Sequence, residues 1–237
     1  MKPGTMTHQA VLVTLLRWLL WICLPIALLA LPLYPLVTPG YVRWHYQQAS
    51  FPPSDRFAYA ERNRLSDTIV NYLRGKASRE QMATMRTDGG DVAMRAEEVQ
   101  HIADVKVITD GFYMAQLIAS VIAILAAVGL GIMGGWYPVS RSLRIGVVVT
   151  GAVILLAVAA SFINFDVFFD RFHRLFFTNE SWLFYYEDTL IQLYPEPLWS
   201  SAVWQMGLMI LLELGIVFGI SWIPAHKNKQ IGSKIPG

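Results

Sequence analysis

Four long apolar runs most constrain what this chain can fold into. Residues 11–37, 112–136, 145–165 and 202–223 are nearly free of charge, and each is long enough to cross a bilayer, which takes about 20 helical residues. Hydrophobic residues make up 54% of the chain and charged residues only 15%, a composition typical of membrane proteins. Because backbone polar groups in lipid must be satisfied within the chain, the runs predict an all-α integral membrane protein with four transmembrane helices.

The distribution of Lys and Arg predicts the orientation in the membrane. The short connection between the second and third runs contains Arg141 and Arg144 and no acidic residue, and the C-terminal tail contains Lys227, Lys229 and Lys234. Basic residues next to a span favour the cytoplasmic side. We therefore expect both termini and the short connection to be cytoplasmic. The segment between the third and fourth runs is mainly acidic, so we expect it outside, together with the long segment between the first and second runs.

This orientation divides the chain into segments with separate roles. They are a cytoplasmic N-terminus with the first span (1–37), a small helical extracellular cap (38–111), the second span (112–136), a cytoplasmic loop (137–144), the third span (145–165), an extracellular aromatic loop (166–201), the fourth span (202–223) and a cytoplasmic tail (224–237). The first apolar run exceeds the roughly 7–15 residues of a signal-peptide core, so we interpret it as a span.

Local signals predict the helices of the cap. A helix is expected over 54–74, ended by Gly75, a residue type that favours the left-handed backbone just after a helix. Ser78 and Gln81 have the spacing of a capping box at the start of a second, short helix. After a turn, apolar residues at helical spacing predict an amphipathic helix that leads towards the second span, with Gly111 as a candidate break.

The sequence lacks the motifs of several common site classes. It contains no GxSxG, HExxH, CxxC or Walker loop, and its single cysteine, Cys23, excludes an intrachain disulfide. The net charge of +2 reflects the topological bias of Lys and Arg, and no basic patch indicates nucleic acid. We expect no metal, no cofactor and no nucleic-acid partner, and the oligomeric state stays open.

One of the five histidines, His101, lies among carboxylates. Glu97 and Glu98 precede it by about one helical turn and Asp104 follows it by the same interval, so each can approach the ring. A carboxylate partner can hold one imidazole nitrogen protonated and leave the other as a base. A solvent-exposed helix face with mixed charges is the alternative interpretation.

A second histidine, His173, lies among aromatic residues. Its neighbours in sequence include Phe169, Phe172, Phe176, Phe177, Trp182 and Tyr185. This density predicts a dry pocket of low dielectric constant around the ring, in which Asp170 or Asn179 would orient it. The alternative is an ordinary aromatic belt at a bilayer interface.

Glu213 is the one acidic residue deep in a predicted span. Acidic residues in such positions are usually functional or paired. Arg17 in the first span is expected at a similar depth, so we predict an ion pair between the two within the bundle.

The order of the histidine segments and the spans resembles that of a known family. HisIleAlaAspValLys (101–106) precedes the second span, PheHisArgLeuPhePheThrAsnGluSerTrpLeuPhe (172–184) follows the third, and AspThrLeuIle (188–191) and TyrPro (194–195) precede the fourth. Over essentially the whole chain this pattern is similar to the bacterial lipoprotein intramolecular transacylase (Lit) family.

The resemblance implies a membrane acyltransferase of the bacterial cell membrane. In that family the acyl chain at the glyceryl sn-2 ester of a diacylglyceryl-cysteine lipoprotein moves to its N-terminal amino group, which gives a lyso-form lipoprotein. His101 and His173 match the family's two histidines, which implies that both act as general acid or base in one pocket at the outer leaflet, next to membrane lipid.

Two other functional classes fit the composition. In a non-catalytic membrane protein whose extracellular cap binds a partner, both histidines would be structural. A small transporter is disfavoured, because the chain has one intramembrane acid and neither broken nor repeated spans.

The predicted orientation can be tested by labelling intact cells. Single cysteines placed at Ser78 and Glu180, with Cys23 replaced, should react with a membrane-impermeant thiol reagent, because both positions are expected outside. Protection of both positions would contradict the orientation.

Overall fold

The structure is a computed structural model that describes residues 8–177 and 182–223, and these residues form helices and no β-strand. The helices are α1 (His8–Ala30), α2 (Leu33–Leu36), α3 (Pro39–Tyr46), α4 (Tyr59–Leu73), α5 (Arg79–Ala83), α6 (Ala96–Gly134), α7 (Trp136–Ile163), α8 (Phe165–Phe176), α9 (Thr189–Leu193) and α10 (Glu196–Ser221). The predicted all-α class is confirmed.

Four of these helices, α1, α6, α7 and α10, are long and apolar enough to cross a membrane. The predicted spans coincide largely with them, but α6 begins well before its apolar part and continues through Gly111 without a break. A glycine inside a helix costs only about 1 kcal/mol relative to alanine, which the hydrogen bonds of the flanking turns outweigh. Val99 and Ile102 in the charged first part of α6 belong to the apolar core of the cap, whereas Ala119, Ala123 and Leu130 in its apolar part belong to the core of the helix bundle.

Close helix packing holds the four-helix bundle together. At Gly146 of α7, an added Cβ would lie 2.6 Å from Cδ2 of Leu24, and at Gly207 of α10 it would lie 2.9 Å from Cγ2 of Val158. Small residues at such crossings let helix backbones approach, which is how membrane helices gain van der Waals contact. The bundle core also contains Leu20, Ala126, Leu130 and Ile210, each almost fully buried.

The predicted ion pair between Arg17 and Glu213 is wrong. Leu24 of α1 packs on α7 at Gly146. Leu214, which follows Glu213 on α10, packs on α7 at Gly151, which is nearer the cap. Arg17 lies two helical turns before Leu24, away from the cap, so the two residues are roughly 18 Å apart along the bundle axis. In the part of the chain that the structure describes, Oε2 of Glu213 is buried without a hydrogen-bond partner.

The cap has its own apolar core, separate from that of the bundle. Leu65 and Ile69 of α4, Met82 of α5 and Leu193 of α9 are fully buried in it. They pack around the first turns of α6, where Val99 and Ile102 are also buried. The cap is therefore built on the same helix that enters the bundle.

Most of the local signals in the cap are confirmed. Ser78 and Gln81 form the reciprocal hydrogen bonds of a capping box, and Gly75 takes a φ of 71° just after α4. The start of α4 differs, because the helix begins at Tyr59 and not at residue 54. The Ser54 hydroxyl instead accepts hydrogen bonds from the backbone N–H groups of Arg56 and Phe57 and holds a turn.

Helix α8 forms the first part of the segment 166–201, which was predicted as an aromatic loop. Asn164 ends α7 and caps α8, since its Oδ1 accepts a hydrogen bond from the Val167 N–H at 3.0 Å. Aromatic residues recur at helical spacing along α8, at Phe165, Phe168, Phe169, Phe172 and Phe176. The pattern is that of an amphipathic helix. Because aromatic residues are so dense in this segment, their helical spacing was not recognised from the sequence.

Filling the α1–α7 crossing should destabilise the bundle. Gly146→Leu forces new atoms against Leu24, and overpacking of this kind costs about 1–3 kcal/mol, so the unfolding temperature in detergent should fall. Gly215→Leu is the matched control, because nothing lies within 4 Å of a Cβ added there. Adding Leu24→Ala to Gly146→Leu should restore part of the loss. Equal unfolding temperatures for Gly146→Leu and Gly215→Leu would contradict this account of the crossing.

Candidate active site

The hairpin of α6 and α7 brings the two candidate histidine segments to the same height. The chain reverses at Gly135, whose φ of 70° suits the turn between the helices. His101 on α6 and Phe169 on α8 are equally far from this turn along the chain. Residues more than 70 positions apart in sequence therefore meet where the cap joins the bundle, and His173 lies one helical turn beyond Phe169.

The two imidazoles face one another. The ring centroids of His101 and His173 are 6.3 Å apart and the ring planes differ by 24°. This separation is too long for a direct hydrogen bond between the rings, but it allows both to contact one small group.

Aromatic side chains surround the pair. The ring of Phe177 lies 5.1 Å from that of His101 and 5.8 Å from that of His173, so it contacts both. Trp182 lies 5.0 Å from His173, and Phe184 lies 5.3 Å from His101. His101 is only 7% exposed. The pair is thus enclosed on several sides by apolar rings.

Phe172 and Phe176 form the outer part of this enclosure. Phe172 stands edge-on to His173 at 5.6 Å and lies 5.0 Å from Phe176. Phe176 in turn packs on Phe112 of α6 at 5.5 Å. These contacts attach α8 to α6 at the start of the apolar part of α6.

The backbone of α8 fixes the tautomer of His173. Nδ1 lies 2.8 Å from the carbonyl oxygen of Phe169, one turn earlier. A carbonyl oxygen only accepts hydrogen bonds, so Nδ1 carries the proton in the neutral ring and Nε2 has a free lone pair. Burial lowers the pKa of His173, and the hydrogen bond to Phe169 opposes that shift.

The surroundings of His101 favour its neutral form more strongly than those of His173 favour the neutral form of that ring. Burial of the ring, together with the charge of a protonated His173, lowers its pKa to about 4, although Asp104 opposes both effects. Nδ1 of His101 is buried and has no hydrogen-bond partner within residues 8–177 and 182–223. A buried polar atom without a partner costs about 1–3 kcal/mol, so a hydrogen bond to this nitrogen would be favourable.

Most of the carboxylates that were predicted to orient the histidines form hydrogen bonds with other groups instead. Glu98 is 1% exposed and accepts hydrogen bonds from the backbone N–H groups of Arg95 and Leu190, each at 2.8 Å. Glu97 is exposed, and no hydrogen bond or ion pair joins it to His101 within the described residues. These two residues do not orient the His101 ring.

Asp104 and Asp170 influence the histidine pKa values through their charge, and neither forms a hydrogen bond with a histidine ring within the described residues. Asp104 accepts a hydrogen bond from Gln100 at 2.8 Å, and Asp170 accepts from Nε of Arg174 at 2.9 Å. The group that orients His173 is the Phe169 carbonyl instead. The predicted role of Asn179 lies outside the described residues.

Sequence reasoning missed several residues of the site. Phe184 contacts His101, yet it was not among the predicted site residues, although it lies between Trp182 and Tyr185 in the sequence. The ion pair of Arg95 with Asp188, 2.5 Å long, links the start of α6 to the segment that carries Trp182 and Phe184. No sequence signal pairs residues 93 positions apart, whereas the Phe169 carbonyl could have been inferred from helical spacing once α8 was recognised.

No group of three or more His, Cys, Asp or Glu side chains in residues 8–177 and 182–223 lies close enough to hold a metal ion. The arrangement offers two neutral imidazoles in an apolar enclosure. Its chemistry is therefore proton transfer and hydrogen bonding by imidazole.

Comparison with known families and proteins gives two matches in sequence. The family model described as Lipoprotein intramolecular transacylase Lit matches residues 18–199. A protein of Aquifex aeolicus (strain VF5), described as an uncharacterized protein, is 27% identical over 208 residues, which cover 82% of this chain and 90% of that protein.

Solved structures of the membrane integral lipoprotein intramolecular transacylase Lit from Bacillus cereus have the same fold. One is 19% identical with a TM-score of 0.68 and covers 88% of this chain and 93% of that one. Another, which carries a substitution of one histidine, is 21% identical with a TM-score of 0.70 and covers 90% of this chain and 93% of that one. At this identity the likeness concerns the architecture alone.

The charge coupling at the site predicts opposite shifts in two variants. By NMR of histidine-labelled protein, His101 should stay neutral at pH 5, because burial lowers its pKa to about 4. His173→Asn removes a neighbouring positive charge and should raise that pKa, whereas Asp104→Asn removes a negative charge and should lower it. Titration of His101 near its ordinary value of about 6.5 would contradict the burial argument.

Proposed function

The chain belongs to the lipoprotein intramolecular transacylase (Lit) family and is an integral membrane transacylase, and on that premise we propose that it moves the sn-2 acyl chain of a diacylglyceryl-cysteine lipoprotein to the N-terminal amino group. The product is a lyso-form lipoprotein. No atoms enter or leave, because the ester C–O bond breaks as the amide C–N bond forms, and the amine proton ends on the glyceryl oxygen.

One observation supports this proposal above all: two neutral imidazoles lie 6.3 Å apart within an aromatic enclosure. An α-amino group with a pKa of about 7.7–8.0 is mostly protonated at neutral pH and needs a base before it can attack an ester. Two imidazoles on either side of one ester can supply that base and a hydrogen-bond donor. A binding module would have no need of either.

His173 is the proposed base. Its Nδ1–H donates to the Phe169 carbonyl at 2.8 Å, which leaves the Nε2 lone pair free to take the proton from the amine. The imidazolium that forms can then return the proton to the departing glyceryl oxygen. This sequence of steps leaves His173 neutral at the end of the reaction.

His101 has a different proposed role. Since burial lowers its pKa to about 4, it remains a neutral imidazole with one N–H at working pH. A neutral imidazole N–H can donate to the ester carbonyl oxygen as negative charge develops there. Nδ1, which is buried and finds no partner among the described residues, is the atom that such a contact would satisfy.

The intramolecular nature of the reaction explains why no protein nucleophile is needed. The amine and the ester belong to one substrate, so the enzyme's main task is to hold them together, which is worth up to about 7–11 kcal/mol. Water is the competing nucleophile, and its attack would hydrolyse the ester. The rings of Phe177 and Trp182 beside the histidines would limit its access.

The proposed orientation places the cap and the site outside the cell. The Lys and Arg distribution then puts both termini in the cytoplasm and the histidines at the outer leaflet, where a lipoprotein anchored by its acyl chains presents its ester. The division of the chain at residues 37, 111, 136, 144, 165, 201 and 223 is part of this proposal.

Loss of either histidine should stop the conversion. In His101→Asn and His173→Asn, the rate of lyso-form product should fall by about 10²- to 10⁴-fold, the usual contribution of general acid–base catalysis. Mass spectrometry of a reporter lipoprotein with different acyl chains at the two glyceryl positions measures the rate and shows which chain reaches the nitrogen.

His45→Asn is the matched control for these variants. His45 is also buried, but its ring packs on Tyr41 and Trp44 of α3, away from the His101–His173 pair, so its loss should leave the conversion largely intact. If the folded double variant of His101 and His173 converts substrate at the normal rate, the catalytic proposal is wrong. The cap would then be better explained as a module that binds a partner.

A further inference from the structure

A groove lies about two turns of α8 away from His173, between the cap-side ends of α7 and α10 and the start of α8. It has a volume of about 450 Å³. Its lining consists of Ser161, Phe162, Phe165, Ser200, Ser201 and Trp204. The mechanism proposed above uses none of these residues.

The walls of this groove are mainly apolar despite the serines. The hydroxyl of Ser161 donates to the Val158 carbonyl at 2.7 Å, and that of Ser200 donates to the Pro197 carbonyl at 3.4 Å, each within its own helix. Hydroxyls satisfied in this way need no water, so the small side chains create space and present little polarity. The remaining surface comes mainly from aromatic rings.

The rim of the groove faces the surroundings of the bundle. Phe162 is 69% exposed and Trp204 is 48% exposed, and their rings meet edge-on at 5.3 Å. Both belong to the ends of membrane-spanning helices, so this exposure is towards the interfacial part of the lipid. A chain from the membrane can enter the groove sideways.

A continuous aromatic path joins the groove to the base. Phe165, Phe169 and His173 occupy successive turns on one face of α8. Their rings follow one another at 5.8 Å and 4.0 Å, and Trp199, next to the groove-lining Ser200, lies 6.2 Å from Phe169. Two helical turns separate the groove from the imidazole, which is about 12 Å along the α8 axis.

We propose that this groove binds the distal part of the acyl chain that is transferred, an inference that rests on the proposed function. The carbonyl carbon of that chain stays beside the histidines throughout, since it exchanges an oxygen for a nitrogen at the same place. A fixed site for its tail therefore holds the ester still while the amine approaches. The groove lies on the face of α8 that carries His173. This position favours the transferred chain as its occupant over the chain that remains on the glyceryl group.

The test compares substrates that differ only in chain length. An octanoyl chain is shorter than the separation between His173 and the groove, whereas a palmitoyl chain extends into it. Synthetic diacylglyceryl-cysteine lipopeptides would carry palmitoyl or octanoyl at either glyceryl position. The full-length protein in proteoliposomes would convert them, with mass spectrometry as the measurement.

Two variants fill the groove, and one variant controls for the added bulk. Ser161→Leu and Ser201→Leu should lower conversion of the substrate with palmitoyl at the transferred position by about tenfold or more, the effect of preventing the burial of two methylenes. Conversion of the substrate with octanoyl at that position should be unchanged, which also shows that the variants fold. Ala159→Leu, on the exposed face of α7, should alter neither rate.

Several outcomes would overturn the proposal. The groove-filling variants could lose conversion equally for both chain lengths or lose none for either. Their loss of conversion could also depend on the length of the chain at the other glyceryl position. In each of these cases the wild-type protein still converts substrate, so the proposed function would survive. If the wild-type protein converts none of the four lipopeptides, the proposed function fails and the groove assignment fails with it.

Discussion

The unbroken course of α6 is the constraint on which the rest of the structure depends. In lipid every backbone polar group must be paired inside the helix, which keeps the apolar half of α6 helical, and this half packs against α1 and α7. The same hydrogen-bonded helix continues into water, where its first turns form part of the cap core. Because no hinge separates the two halves, the bundle itself sets the position of His101. If a flexible linker joined the two halves, the geometry of a site between the cap and the membrane would change whenever the linker moved.

The other wall of the site is attached to the same helix. Glu98, buried in the first turn of α6, accepts a hydrogen bond from the backbone N–H of Leu190, and Arg95 pairs with Asp188 at 2.5 Å. Burial raises the pKa of Glu98, but two backbone N–H donors oppose the shift. A carboxylate that cannot reach water makes these contacts hard to replace, because losing them would leave a buried charge unsatisfied. The segment that carries Trp182 is thereby held at a fixed distance from His101.

The sequence was enough to predict what depends on composition and short-range spacing. Apolar run length identified the four spans, and the Ser78 capping box and the Gly75 helix end followed from residue types alone. Tertiary contacts decided the rest. Nothing in the sequence reveals the register of the helices, and a wrong assumption about register produced the mistaken pairing of Arg17 with Glu213. Likewise, the density of aromatic residues indicated His173 as a candidate. Their helical spacing would also have shown that His173 lies on a helix, where the backbone carbonyl one turn earlier can orient its ring.

Two histidines in one enclosure can have different roles because their surroundings differ. Burial lowers the pKa of both rings, and a base that is too weak would fail to deprotonate an amine. Only His173 has a hydrogen bond to a carbonyl that opposes the shift, and this bond also directs the lone pair of Nε2 away from the helix backbone. His101 lacks such support and is held neutral, which suits a donor to a developing oxyanion better than a base. In the proposed mechanism, the burial that would limit the access of water to the ester would also separate the roles of the two histidines.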